Sequence, residues 1–199
     1  MVDSEGNVYV ADGGNNCIRK ITSAGVVTTF AGSTTQGSSD GTGTNATFTI
    51  PFSTALDSSG NIYVAEGYGH RIRKITSAGV VTTLAGSGNA QFADGTGTNA
   101  SFTYPFGVTV DSAGNVYVAD SFGHRIRKIT SAGVVTNLAG DGSAGSTDGT
   151  GASARFNTPW HITIDSNGNL YVPEYSGHRI RRITPVSYTH LTLPTKRIV

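Results

Sequence analysis

The sequence predicts an all-β fold built from tandem four-stranded antiparallel sheets. Three observations carry that expectation: a repeat of fixed period, four strand-like runs inside each period, and many turn residues. Asp3, Asp57, Asp111 and Asp165 each open a near-copy of one segment, 54 residues apart. ITSAGVVT recurs at Ile21, Ile75 and Ile129, DGTGTNA at Asp40 and Asp94, and DGTGASA at Asp148. Self-similarity at one period implies a solenoid, propeller or array, because each unit buries its apolar faces only against its neighbours.

Within a period the elements follow in a set order. In the third copy they are FGVTV (Phe106–Val110), NVYVA (Asn115–Ala119), RIRKI (Arg125–Ile129) and VVTNLA (Val134–Ala139). These runs are rich in β-branched and aromatic residues and are bounded by Gly, Asp and Ser. DSAGN joins the first run to the second, and TSAG the third to the fourth; each carries Gly where a tight turn needs a positive φ. No run has the length and 3.6-residue spacing of an amphipathic helix. Four antiparallel strands with two fairly apolar faces describe a propeller blade stacked between neighbours. The repeat begins at a second strand and stops after a third, so fourteen strands are expected. That is roughly 3.5 blades. The two partial blades do not complement one another, so an open arc is expected, able to self-associate through uncovered blade edges.

The segment PFGVTVDSAGNVYVADSFGHRIRKIT resembles the NHL repeat, through P-x-G-V, D-x-x-G-N-x-Y-V-A-D and R-I-R-K-I. The resemblance runs from Met1 to about Pro185. It implies a β-propeller, here an arc of a six-bladed or larger ring. It also brings two activities into view. Some NHL-like propellers are lyases or lactonases with a metal on the central axis, and some animal NHL propellers bind RNA through a basic face.

Residues 186–199 match nothing upstream, and VSYTHLTLPT resembles a translated sequencing adapter. The expected division is therefore a propeller over 1–185, with repeats starting near 3, 57, 111 and 165, and a non-native tail over 186–199. Without Lys196 and Arg197, twelve basic residues face thirteen acidic ones, a net charge of −1. Strong nucleic-acid binding needs a concentrated positive surface, so no nucleic-acid partner is expected. One cysteine, Cys17, allows no internal disulfide. No stretch of about 18 apolar residues appears, so no membrane span is expected. High Gly, Ser, Thr and Asn with little Cys resembles secreted or cell-surface bacterial repeat proteins, and an extracellular or surface location is favoured over the cytoplasm.

Antiparallel alternation puts the two tight turns on one side of the disc. The other side collects the loops between second and third strands and the long connections between blades, so a ligand is sought there. Departures from the repeat are the first candidates. Trp160 and His161 stand where other copies have Phe-Gly or Phe-Ser, at the start of a channel-lining strand. Tyr68, Phe122 and Tyr175 place an aromatic in each second-to-third loop, for ligand contact or for packing on a neighbouring blade. Pro173 removes a ladder donor, so its strand is expected to end early.

The remaining repeated residues are read as structural. His70, His124 and His178 sit at equal radius in three blades, too far apart to share a metal at about 2.0–2.1 Å. Asp12, Glu66, Asp120 and Glu174 are read as intrablade partners of the positions four or five residues on, where Arg71, Arg125 and Arg179 stand and the first copy has Cys17. A ring of acids around a cation is the other reading. The D-G-T-G loops lack the phosphate-loop motif and are expected to fold on their own blade, anchored by Phe48, Phe102 and Phe156. No catalytic residue, metal ligand or cofactor is assigned. The expected function is a non-catalytic binding or scaffold module for a protein or carbohydrate. The alternatives are a metal-dependent lyase or lactonase, for which His161 is the one channel-side ligand here, and an RNA-binding domain.

Overall fold

A computed structural model describes residues 1–185 and the backbone of His190–Thr192. The chain is all-β and forms four blades in sequence order. The first contains β1 (Val8–Asp12), β2 (Cys17–Ile21) and β3 (Val27–Gly32). After a two-residue strand β4 (Gly41–Thr42), the second blade holds β5 (Pro51–Leu56), β6 (Ile62–Glu66), β7 (Arg71–Ile75) and β8 (Val80–Ala85). The third repeats this with β9 (Gly95–Thr96) ahead of β10 (Pro105–Val110), β11 (Val116–Asp120), β12 (Arg125–Ile129) and β13 (Val134–Ala139). The fourth has β14 (Thr163–Ile164), β15 (Leu170–Glu174), β16 (Arg179–Ile183) and β17 (His190–Thr192). Consecutive strands within each blade pair antiparallel, as the alternating pattern and tight turns require.

The D-x-x-G-N-x-Y motif builds the first turn of each blade. Asp57 Oδ1 accepts the backbone N–H groups of Ser59 and Asn61, and Oδ2 accepts the Asn61 amide and the Tyr63 hydroxyl. Gly60 supplies the positive φ of 80°. Burial raises the Asp57 carboxyl, but the hydrogen bonds from Asn61 and Tyr63 outweigh it and hold the group below its ordinary value. Asp3, Asp111 and Asp165 make the same cage.

The core lies between blades. Tyr9, Ile18 and Ala31 of the first blade meet Ile62, Val64, Ile75 and Val81 of the second, with Phe48 from the connection wedged among them. Phe102 and Phe156 occupy the matching places at the next two interfaces. All three phenylalanines are fully buried.

Four features depart from expectation. The D-G-T-G loop folds on the blade it leaves, where Gly97 accepts the Gly86 N–H and Gly151 the Gly140 N–H, but it also reaches the next blade. Gly41–Thr42 pairs with Val80–Val81 and Gly95–Thr96 with Val134–Val135, adding a fifth strand to the following blade. An outer strand with free N–H and C=O groups accepts that addition. The fourth blade does not stop at three strands, because His190–Thr192 pairs with Arg181–Ile183 along the same kind of open edge. The rest of the 186–199 tail lies outside the described residues. At the other end, Val2 bridges Val8 and the Tyr9 N–H bonds to the Met1 carbonyl, so two residues stand where the inner strand of the other copies ends. Pro173 does not shorten its own strand, since β15 runs through it to Glu174. The missing N–H is felt next door, where β14 has two residues and its counterpart β10 has six.

Candidate ligand-binding face

Each of the last three blades presents two aromatic positions at one end of the disc. One follows the proline that opens the inner strand: Phe52, Phe106 and Trp160. The other lies in the second-to-third loop: Tyr68, Phe122 and Tyr175. Folding brings them into one continuous patch. Ring centroids lie 4.3 Å apart for Phe52 and Phe106, 4.6 Å for Phe106 and Trp160, and 5.1 Å for Trp160 and Tyr175. Tyr104, from the end of the connection, sits 5.4 Å from Tyr68 and 5.1 Å from Phe122. Tilted and edge-on geometries suit the ring quadrupoles, at about 0.5–1.5 kcal/mol per pair beyond area burial.

The patch is graded from buried to open. Phe106 at its centre is 3% exposed, while Tyr68, Phe122 and Tyr175 on its rim are 51%, 53% and 67% exposed. Gly67 makes room for the centre, because a Cβ there would strike the Phe106 ring. Ser121 takes that place in the next blade and donates its hydroxyl to the Pro159 carbonyl. A rigid apolar floor with exposed rings at its edges is a platform for stacking.

His161 is not in this patch. It lies further along the inner strand, exposed, with Nε2 3.4 Å from the Ser53 hydroxyl of the second blade. Together with Met1, Val8 and Thr54 these groups line a cavity of about 330 Å³ beside the inner strands. The inner strands packed around the ring partly desolvate it and lower the imidazole pKa from its ordinary value. Gly107 permits the close approach, since a Cβ there would lie 2.7 Å from the His161 Cα. Among the described residues no group of three or more His, Cys, Asp or Glu side chains is placed to hold a metal ion.

The repeated acids meet arginines of their own blade, mainly two residues beyond those expected, and the same arginines reach an aspartate of the preceding connection. Glu66 meets Arg73 at 3.3 Å and Asp120 meets Arg127 at 3.6 Å. Glu174 meets Arg181 at 3.4 Å and reaches Arg179 only at 3.9 Å. The two arginines share a face of the third strand. The first is taken up by loop carbonyls at the start of the strand, and the second, two residues further in, reaches the buried carboxylate. Arg73 is fully buried, lies 5.3 Å over the Phe48 ring, and donates to Asp40 at 2.8 Å. The same acids grip the backbone of the connection, Glu66 accepting the Thr49 N–H at 2.9 Å and Asp120 the Thr103 N–H at 2.6 Å. Burial pushes Asp120 up to about 6 against the pull of Arg127. Arg71 and Arg125 instead donate to loop carbonyls of Gly69, Ser87, Gly123 and Asp141. Asp12 accepts only from Asn15 among the described residues.

The histidines are latches as well. His70 Nδ1 accepts the Tyr104 N–H at 3.3 Å, and His124 Nδ1 accepts the Thr158 N–H at 3.2 Å. Asn16 does this in the first blade, accepting the Ile50 N–H at 3.0 Å. Ile50, Tyr104 and Thr158 all have positive φ, a strained backbone for non-glycine residues, and the latch holds it. His178 makes no such bond among the described residues.

Phe52, Phe106 and Tyr104 went unsingled by sequence reasoning. The first two belong to the shared repeat, and a search for departures passes over shared residues. The signal was nonetheless available: P-F, P-F and P-W at Pro51, Pro105 and Pro159 put one ring per blade at the same end as the loop aromatics.

Fold and face together define a β-propeller protein with an aromatic patch beside its inner strands. The NHL repeat family model matches residues 102–129, the stretch that holds β10, β11 and β12. NHL repeat-containing protein 2 of Bos taurus is 36% identical over 108 residues, which are 52% of this chain and 15% of that protein. A crystal structure of a protein of unknown function from Bacteroides thetaiotaomicron VPI-5482 superposes with TM-score 0.75 at 30% identity, over 91% of this chain and 45% of that one. An auxiliary nutrient binding protein from the same organism gives 0.72 at 21% identity, over 90% and 45%. A streptogramin B lyase structure gives 0.67 at 21% identity, over 98% and 54%. The last two likenesses establish the fold alone. The chain spans about half of these solved chains and a much smaller part of the curated relative.

Proposed function

We propose that this chain is a non-catalytic binding module whose ligand, a protein or carbohydrate, stacks on the aromatic patch of the loop-rich face. The continuity of the patch supports the reading. Seven rings from three blades form one surface, and its rim is left exposed although each blade has apolar interfaces to bury. Rings cost little conformational entropy to hold and offer area to sugar C–H faces or peptide side chains. Arg73, Arg127 and Arg181 are committed to contacts with the preceding connections and are fully buried. Shared fold does not choose between binding and catalysis, and the solved relatives include both.

Trp160 is the sole tryptophan and lies within the patch, so its emission reports occupancy. Titration with panels of oligosaccharides and peptides is expected to shift Trp160 emission for a ligand that binds. The Tyr68→Ala/Tyr175→Ala pair should weaken that ligand roughly tenfold or more, since each stacked ring contributes about 1 kcal/mol. A ligand held with unchanged affinity by the double variant would overturn the reading.

A further inference from the structure

The first blade carries a face that the other three have filled. On the second blade, Asp40 pairs with Arg73 and Phe48 lies beneath its guanidinium, while Gly41–Thr42 pairs with the outer strand. Asp94 and Phe102 do the same for Arg127 of the third, and Asp148 and Phe156 for Arg181 of the fourth. Each set comes from one segment type, D-G-T-G-x-x-A-x-F, at 40–48, 94–102 and 148–156.

The equivalent arginine of the first blade is Arg19. Among the described residues it makes no ion pair, and it donates to the Thr29 hydroxyl at 2.7 Å. Around it opens a cavity of about 660 Å³ lined by Val10, Cys17, Ile21 and Val27. Val10 and Val27 are 40% and 49% exposed, whereas their counterparts Val64 and Val81 are 0% and 1% exposed. Among the described residues, the cavity, a guanidinium without a carboxylate partner and an outer strand with no further strand beside it therefore coincide on one surface.

We propose that this face is a receptor for one kind of polypeptide, the D-G-T-G-x-x-A-x-F connection of a further blade. Its aspartate would pair with Arg19, its phenylalanine would enter the cavity under the guanidinium, and its Gly-Thr would extend the sheet beyond Val26–Val27. Charge complementarity and three filled copies of the same site carry the choice of occupant. A second copy of this chain fits less well, because all three of its D-G-T-G segments are already seated on its own blades.

The test is a graft in register. Met1 is equivalent to Thr109, so residues 87–108 are placed directly before Met1 of the full chain. The graft is expected to raise the thermal midpoint by roughly 5 °C or more, as burial of a phenylalanine and an ion pair would. The rise should vanish with Phe102→Ala or Asp94→Ala in the grafted copy alone, changes that leave the parent chain intact. A peptide of residues 87–104 added in trans should shift the amide resonances of Val10, Arg19 and Val27, and not do so with the same substitutions. An unchanged midpoint, or an equal rise with the substituted grafts, would overturn the proposal. A dimer of the ungrafted chain that the graft dissolves would also overturn it, by making a second copy the occupant.

Discussion

The first and third blades share a motif and differ in what covers them. Val10 and Val118 are the same residue of the same strand, yet one is 40% exposed and the other fully buried. Arg19 lies partly open beside a cavity, whereas Arg127 is sealed between Asp94, Asp120 and the Phe102 ring. A blade motif therefore does not contain its own core. It contributes one face to each of two cores, and the energy of a residue depends on whether the adjoining connection is seated on it.

That comparison can be broken most sharply at the arginines. Arg127→Met is expected to destabilise by about 3–5 kcal/mol, because it strands the buried Asp120 carboxylate. Arg19→Met should stay within about 0.5 kcal/mol. Urea unfolding of the two variants checks this, and equal losses would show that the blades are energetically alike after all. A milder version uses the valines. Val118→Ala should cost about 2 kcal/mol through lost burial and a residual cavity, against a few tenths for Val10→Ala. The smallest effect compares the latches. His124→Leu should cost about 1 kcal/mol by orphaning the Thr158 N–H, while His124→Asn, the residue that serves at Asn16, should be nearly neutral.

The histidine latch also has a pH signature. Burial, then Arg125, lower His124 from its ordinary 6.5, so the folded state prefers the neutral ring. The contribution is present above pH 6.5 and is lost as pH falls below it. His124→Asn should remove that part of the acid sensitivity, measured as the difference in thermal midpoint between pH 7.5 and pH 5.5.

Much of the fold was legible from local chemistry. The strands of the third copy were located to within a residue, because β-branched runs between Gly-containing turns constrain both ends. The aromatic face was legible in part. Trp160, Tyr68, Phe122 and Tyr175 join in one patch, but Phe52 and Phe106, which connect them, belong to the common repeat and gave no contrast, while Tyr104 does depart from it, with Ile50 and Thr158 in the other copies. The acid–arginine contacts are intrablade as expected, but the shorter ones go to the arginine two residues on, because two arginines on one strand face differ only in how deep they sit under the connection that covers them. Asp40 and Arg73, 33 residues apart, meet across a blade boundary that spacing does not reveal.

By itself, then, the 54-residue period determined the blade, its turns and its order of strands, since those depend on interactions within a few residues. The tertiary structure alone decided which blade each D-G-T-G loop joins, which arginine each acid holds, and which aromatics remain exposed. Those outcomes depend on what lies across an interface, and in a repeat of near-identical units the local sequence is the same whether the interface is filled or open.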